Sequence, residues 1–169
     1  MTASYLRYPH LMGDRLVFVA DDDVWLVPAD GGQARRLTAD HRPARRPRLS
    51  PDGNTLAWIS TRTGSPEAFV MPADGGESRQ LSYFGSETTF GLGFDPAGRV
   101  VVATAAGQPV TSDRWAWAID PAPDGDPAPQ RLPFGPVTGI AWADSGAVLV
   151  SAGLYRELAY WKRYRGGTA

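Results

Sequence analysis

A short glycine-containing turn recurs along the chain at intervals of 40 to 48 residues, and this repeat constrains the fold more than any other sequence feature. The turn reads Ser50-Pro51-Asp52-Gly53, then Asp95-Pro96-Ala97-Gly98, then Ala143-Asp144-Ser145-Gly146, with a shorter version at Gly13-Asp14. A period of this length is typical of proteins built from stacked copies of one supersecondary unit. The chain is therefore predicted to consist of such units.

Apolar runs follow each turn and predict the strands of the unit. The first run, for example residues 56–59 or 100–103, is almost continuous, which indicates a strand buried on both faces. A second run follows in three units and leads to a turn, such as Asp30-Gly31 or Asp74-Gly75, where glycine supplies the positive φ of a tight hairpin. The mostly polar segment beyond this turn is expected to form a solvated outer strand.

Small residues mark one further strand, which precedes the repeated turn. Examples are Gly91-Leu92-Gly93-Phe94 and Gly139-Ile140-Ala141-Trp142, where missing side chains would let neighbouring backbones crowd around an axis. One inner, two buried and one outer strand match a propeller blade, so the predicted fold is all-β, a partial β-propeller of about three and a half four-stranded blades. The blades are predicted at about 5–40, 46–84 and 90–132, with half of a fourth at about 137–169.

Composition argues against several classes of protein. The formal net charge is −1, so the charge balance does not favour nucleic acid or an anionic membrane, which bind through many basic contacts. The 169 residues contain no cysteine, which rules out disulfides and thiolate metal sites and is compatible with a reducing cytoplasm. No apolar run is long enough to span a membrane. We expect a cytoplasmic protein without a cofactor or a bound metal.

Residues for self-contained catalysis are missing from the sequence. A nucleophilic serine needs a base within reach, and His10 and His41 are the only histidines, with no Gly-x-Ser-x-Gly elbow. Asp21-Asp22-Asp23 lacks the alternating spacing of a calcium loop and is predicted to be a solvated turn. Gly91-Leu92-Gly93 lacks the third glycine and the helix of a dinucleotide-binding loop. We therefore assign no catalytic residue to this chain.

Several motifs in a fixed order make the chain resemble one protein family. They include Gly13-Asp14-Arg15-Leu16-Val17-Phe18-Val19, Leu81-Ser82-Tyr83-Phe84-Gly85, Gly93-Phe94-Asp95-Pro96-Ala97-Gly98 and the more specific Trp161-Lys162-Arg163-Tyr164-Arg165-Gly166-Gly167-Thr168. The sequence resembles the N-terminal six-bladed propeller of tricorn-type proteases along essentially its whole length. On this resemblance, the chain is expected to end within the fourth of six blades.

The resemblance implies a large cytoplasmic serine peptidase that degrades oligopeptides, with two propellers, a PDZ-like domain and a catalytic core, assembled from identical subunits. None of that core lies in this chain, so its implied role is the passage of substrates or products. The implied partners are peptides, the remaining propeller blades and the peptidase domains. The alternative is a TolB-like propeller scaffold that binds a protein partner, because Ser-Pro-Asp-Gly turns occur in that family as well.

One cluster of basic residues is a candidate contact for peptides. Arg42, Arg45 and Arg46 lie on the predicted connection between the first two blades, and such connections can border the mouth of a channel. Guanidinium groups there would bind acidic side chains or a terminal carboxylate, although a solvated loop is the alternative. Members of the family that this chain resembles can carry an arginine pair in the loop where this chain has Ser86-Glu87-Thr88-Thr89. The residues that contact a peptide would therefore differ in this chain.

Overall fold

The structure is a computed structural model that describes residues 5–126, 128–143, 145–146 and 148–151. Within these residues it contains fourteen strands and no helix. The strands are β1 (Arg7–Met12), β2 (Arg15–Ala20), β3 (Asp23–Pro28), β4 (Arg35–Arg36), β5 (Ala44–Leu49), β6 (Thr55–Ser60), β7 (Glu67–Pro72), β8 (Arg79–Gln80), β9 (Phe90–Phe94), β10 (Val100–Thr104), β11 (Trp115–Ile119), β12 (Gln130–Arg131), β13 (Gly139–Trp142) and β14 (Val148–Ser151). The motif at 161–168 lies outside the described residues.

The strands form three four-stranded sheets and one two-stranded sheet, all with antiparallel pairing in sequential order. The first sheet is β1-β2-β3-β4, the second β5-β6-β7-β8, the third β9-β10-β11-β12, and β13 pairs with β14. Neighbouring sheets touch through β1, β5 and β9, which are therefore the inner strands. This arrangement confirms the predicted fold class, an all-β partial propeller. The boundaries proposed for each blade stay a prediction.

Three hydrophobic cores lie between successive sheets. The central strand β6 shows how this arises, because Leu56 and Trp58 pack towards the first sheet whereas Ala57 and Ile59 pack towards the third. Both faces of such a strand are covered, so residues 56–59 are all apolar rather than every second one. The continuous runs that predicted the buried strands are a direct consequence of this stacking.

The Asp-Gly turns have the predicted geometry. Gly31 and Gly75 have φ values of 101° and 94°, and their amides donate to the carbonyl oxygens of Pro28 and Pro72 at 3.0 and 2.9 Å. Residues other than glycine rarely adopt this backbone conformation. The two turns therefore join the third and fourth strands of the first two sheets as the sequence predicted.

The outer strand of the second sheet is less solvated than predicted. β4 and β12 are exposed, but β8 is half-buried, and the next two residues, Leu81 and Ser82, are 3% and 1% exposed. Leu81 belongs to the core between the second and third sheets, against which Phe84 and Trp117 also pack. The expectation of a solvated strand is wrong here because the chain turns inward immediately after β8.

The prediction that Asp21-Asp22-Asp23 forms a solvated turn is wrong for Asp23. Asp23 is 1% exposed and accepts a hydrogen bond from the hydroxyl of Thr38 at 2.8 Å. The same hydroxyl accepts the amide of Val24 at 3.0 Å, so Thr38 ties the segment after β4 to the start of β3. Asp22 is half-buried and pairs with Arg7 at 2.7 Å.

In the first sheet, a hydroxyl thus donates to a buried carboxylate and accepts the backbone amide of the following residue. We call this arrangement the hydroxyl latch, and the second sheet repeats it. Ser82 donates to the buried carboxylate of Glu67 and accepts the amide of Ala68 at 2.9 Å. The other carboxylate oxygen of Glu67 accepts the amide of Gly85 at 2.7 Å. The latch therefore satisfies a buried acidic group and fixes the connection that leads to the next sheet.

His10 of β1 is expected to make folding sensitive to acid. Its Nδ1 accepts the amide of Leu49 in the neighbouring sheet at 3.2 Å, and burial, followed by the charge of Arg48, lowers the pKa of His10 to about 4. A histidine in the unfolded chain titrates near 6.5, so the unfolded state binds more protons between these values. The folded state therefore loses stability as the pH falls through this window.

We expect the free energy of unfolding to fall by about 1–3 kcal/mol between pH 7 and 4.5 through this residue. His10→Asn keeps a hydrogen-bond acceptor but does not titrate, and should remove that part of the pH dependence in urea titrations. His41→Asn is the control, because His41 is exposed. An equal loss of stability in the native chain and in His10→Asn would contradict the assignment.

Candidate functional site

The inner strand of each of the first three sheets carries a β-bulge near its beginning. In β1 the pair Tyr8-Pro9 opposes the single residue Phe18, and in β5 the pair Arg46-Pro47 opposes Trp58. A bulge bends the strand and redirects side chains, and bulges are common next to functional sites. The bulge of β9 lies between Gly91 and Gly93, and Leu92 there packs against the core between the third and fourth sheets.

Tyr8 and Arg46 have a backbone conformation that is unusual for their residue types. Their φ values are 53° and 50°, in the left-handed region that non-glycine residues seldom occupy. Each of them also precedes a proline, which restricts the backbone further. Neither side chain belongs to a hydrophobic core, so packing of these two side chains does not explain the strain. Strained backbone of this kind concentrates at functional sites.

A cavity of about 350 Å³ opens where the inner strands begin. Tyr8 of β1, Arg46 of β5, Phe90 of β9 and Thr138 just before β13 line it, so each of the four sheets contributes a side chain. The four described sheets share this cavity at the side of their inner strands, which is the side that faces the channel in a propeller. Its volume is within the range of small-ligand sites.

The cavity carries an excess of positive charge. Arg45, Arg46 and Arg114 line it, and the carboxylate of Glu87 is the acidic group among its lining residues. Five other arginines form salt bridges in the described part of the chain, but none of these three does. Three cations against one anion favour an anionic ligand, because guanidinium groups bind carboxylates through paired hydrogen bonds.

Phe90 positions two of the three arginines. The guanidinium carbon of Arg46 lies 4.9 Å from the centre of the Phe90 ring, and that of Arg114 lies 5.5 Å from it. Phe90 itself packs against the core between the third and fourth sheets, which fixes the ring. Cation–π contact limits the freedom of long side chains, so both guanidinium groups are held at the cavity wall.

The three arginines predicted from the sequence differ in their position relative to the cavity. Arg45 and Arg46 line the cavity, with Arg45 exposed and Arg46 half-buried, whereas Arg42 is exposed and is not among the lining residues. The charge cluster alone could not separate them, because it does not show which residues of the connection belong to β5. The proposed contact with peptides stays a prediction for all three.

Sequence reasoning missed Arg114, Glu87 and the aromatic residues of the cavity. One signal was available, because Arg7-Tyr8-Pro9-His10 and Arg45-Arg46-Pro47-Arg48 share an arginine-x-proline pattern at matching places in two units. This pattern marks the two bulges. No comparable signal identifies Arg114, which reaches the cavity from the segment before β11.

The described residues show neither a membrane-crossing helix nor a metal centre. No helix in this part of the chain is long and apolar enough to cross a bilayer. No three histidine, aspartate or glutamate side chains among these residues gather as a metal site would require. The Gly91-Leu92-Gly93 segment, which superficially resembles a nucleotide loop, lies within strand β9.

Fold and site together define the class of protein, a partial β-propeller with a basic cavity on its axis. The model of the Tricorn protease N-terminal beta propeller domain family matches residues 3–169, and the chain belongs to this family. Tricorn protease homolog 1 of Streptomyces coelicolor is 48% identical over 166 residues, which cover 98% of this chain and 15% of the relative. These findings confirm the resemblance recognised in the sequence.

Solved structures agree with this assignment. A crystal structure of the tricorn protease matches with a TM-score of 0.76 and 27% identity, over 87% of this chain and 15% of that one. A TolB structure from Agrobacterium tumefaciens matches with a TM-score of 0.71 over 88% of this chain and 54% of that one, but at 15% identity this shows the fold alone. The chain spans about 15% of the length of the tricorn relative from Streptomyces.

Proposed function

We propose that this chain is the non-catalytic N-terminal propeller segment of a cytoplasmic tricorn-like serine peptidase that degrades oligopeptides, and that it guides substrates or products along its axis. The observation that carries the proposal is the arginine-lined cavity where the inner strands begin, in a chain of the tricorn propeller family. Hydrolysis would take place in peptidase domains of a longer protein, which would also supply the remaining blades and would form a homo-oligomer.

The arginines give this role a chemical basis. Peptides carry carboxylates at their C-termini and on acidic side chains, and the fork of a guanidinium group matches both oxygens of such a group. Arg45 is exposed and free to move with a ligand, while Arg46 is held against Phe90. Arg42 would act further out, on the connection that leads into β5.

Replacing Arg45 and Arg46 together by glutamine should weaken the binding of a fluorescent acidic hexapeptide by at least about tenfold at low salt. Hydrogen bonds to charged groups contribute roughly 1.5–3 kcal/mol, and the change removes two such donors. Fluorescence anisotropy titrations measure the affinity, which should also fall with added salt in the native chain. Arg42→Gln on its own tests whether Arg42 contributes.

The matched control for the arginine substitutions is Arg131→Gln, on the exposed outer strand β12, where the guanidinium group stacks on Trp115. This variant should bind the hexapeptide as the native chain does. Equal affinity in the native chain and the double variant would exclude Arg45 and Arg46 from the proposed role. The TolB-like scaffold stays the alternative, supported so far by likeness of fold alone, and it predicts no binding of free peptides.

A further inference from the structure

A second cavity, of about 410 Å³, lies at the opposite ends of the inner strands, between the second and third sheets. The turn from β5 to β6, the turn from β9 to β10 and the segment after β11 enclose it, and we call it the turn-side cavity. We infer that the turn-side cavity binds an arginine side chain of another polypeptide segment. This site does not involve the arginine-lined cavity, and the inference does not depend on the proposed function.

The contact between the first and second sheets shows what occupies this position when it is filled. Arg15, at the start of β2, reaches across to the second sheet. Its guanidinium group donates to the carbonyl oxygen of Gly53 at 2.7 Å and to the carboxylate of Asp74 at 3.2 Å. An arginine side chain therefore bridges the first two sheets at the level of their turns.

The turn-side cavity is the equivalent position between the second and third sheets. Thr55 takes the place of Arg15, because each stands two residues after a turn glycine and opens the second strand of its sheet. Gly98 takes the place of Gly53 in the repeated turn. Thr55 and Gly98 both line the turn-side cavity. Because threonine is much shorter than arginine, the space that a guanidinium group fills in one pair of sheets is open in the next.

A repeated contact identifies the remaining equivalent residue. Arg35, at the start of β4, donates to the carbonyl oxygen of Asp74 at 2.5 Å, and Arg79, at the start of β8, donates to that of Pro121. Pro121 therefore takes the place of Asp74, and it also lines the turn-side cavity. Proline has no carboxylate, but the adjacent residue Asp120 lines the cavity and supplies one.

The turn-side cavity has negative charge that no cation balances. Asp52 and Asp120 are its charged lining residues, and neither forms a salt bridge within the described part of the chain. Hydrogen bonds from the Ser50 hydroxyl and the Asn54 amide lower the pKa of Asp52, so this carboxylate is charged at neutral pH. Two carboxylates beside a backbone carbonyl favour a cation with several N–H donors, which describes a guanidinium group.

The walls of the turn-side cavity suit the rest of an arginine side chain. Besides the acidic residues, the lining includes Pro51, Pro96, Ala97 and Pro123. Arginine packs its methylene groups along apolar surface of this kind while its guanidinium group stays with polar partners. The volume of about 410 Å³ lies within the range of small-ligand sites. It therefore has room for backbone beside the side chain, as in a polypeptide segment.

Two tripeptides blocked at both ends test this inference on the full chain. They are acetyl-Ala-Arg-Ala-amide and its citrulline counterpart, in which a neutral urea group replaces the guanidinium group. NMR titrations of the isotope-labelled protein measure the affinities and show which backbone amides respond. The arginine peptide should bind at least about fivefold more tightly than the citrulline peptide, because hydrogen bonds to charged groups are the stronger ones. The amides of Thr55 and Gly98 should shift on binding.

Two substitutions link this preference to the turn-side cavity. Thr55→Arg supplies the missing side chain from the chain itself and should weaken binding of the arginine peptide at least about tenfold, since the site is then filled. Asp120→Asn keeps an acceptor for the Ala122 amide and should lower the preference for arginine over citrulline to less than about twofold. Asp124→Asn is the matched control, because Asp124 is exposed in the same segment and is not among the lining residues.

Three results would overturn the inference. They are equal affinity of the native chain for the two tripeptides, amide shifts confined to residues outside the turn-side cavity, and an unchanged preference for arginine in Asp120→Asn. Neither tripeptide has a terminal carboxylate or an acidic side chain. Each of these results would therefore leave the proposed function intact.

Discussion

Replacing Phe69 by alanine is expected to lower the free energy of unfolding by about 3–5 kcal/mol, the usual cost of removing a buried aromatic ring. Phe69 is fully buried between the first two sheets, with its ring 6.0 Å from that of Trp58. The guanidinium carbon of Arg62 lies 3.9 Å from the ring centre. The substitution therefore leaves a cavity between two sheets and removes a stacking partner from both neighbours.

Urea titrations followed by tryptophan fluorescence measure this loss. Domains are typically stable by only about 5–15 kcal/mol, so the variant should unfold at a much lower urea concentration. Tyr83→Ala is the matched control, because Tyr83 is 79% exposed and loses an aromatic ring of similar size. A loss below about 1 kcal/mol in Phe69→Ala would show that the two sheets do not depend on each other for stability.

Replacing Glu67 by alanine should cost about 2–4 kcal/mol, because it removes charge-assisted hydrogen bonds and leaves buried donors without a partner. The carboxylate is 3% exposed and accepts both the Ser82 hydroxyl and the Gly85 amide. Glu77→Ala, at an exposed position, is the control. The hydroxyl latch predicts a further result, which is that Ser82→Ala added to Glu67→Ala costs less than the two single losses combined.

Thermal unfolding of the four proteins, native, Glu67→Ala, Ser82→Ala and the double variant, gives the coupling between the two residues. Full additivity would show that Glu67 and Ser82 act separately. A Glu67→Ala variant as stable as the native chain would show that the buried carboxylate is not part of the stabilising structure. In either case the hydroxyl latch would have to be discarded as a stabilising unit.

The sequence predicted the strands of the second and third sheets well because both faces of these sheets are covered. Continuous apolar runs and Asp-Gly turns are local signals, and the structure confirms both, as at 56–59 and Asp74-Gly75. Asp23 and Leu81 were misjudged for a physical reason. Asp23 is buried because Thr38, just after β4, supplies a hydrogen-bond partner. Leu81 is buried because the chain turns inward just after β8. Neither event can be recognised from the hydropathy of the segment.

The cavity was predictable only in part. Arg45 and Arg46 were predicted as contacts because basic residues are dense between the first two blades. The density of charge does not identify which side chains reach the cavity. That depends on the register of β5 and on its bulge. Glu87 precedes β9 and Arg114 precedes β11, so the pairing of strands within the third sheet brings both to the cavity that Arg45 and Arg46 reach from the second sheet. Such convergence has no local signature in the chain.

The bulges in the inner strands have a consequence for how this cavity can change. At Tyr8 and Arg46 the backbone itself turns the residue out of the sheet, and neither side chain takes part in a core. The packed cores between the sheets therefore do not include these two side chains. The propeller can exchange the groups that face its axis, and so acquire a different ligand preference, while every blade keeps the same packed interior.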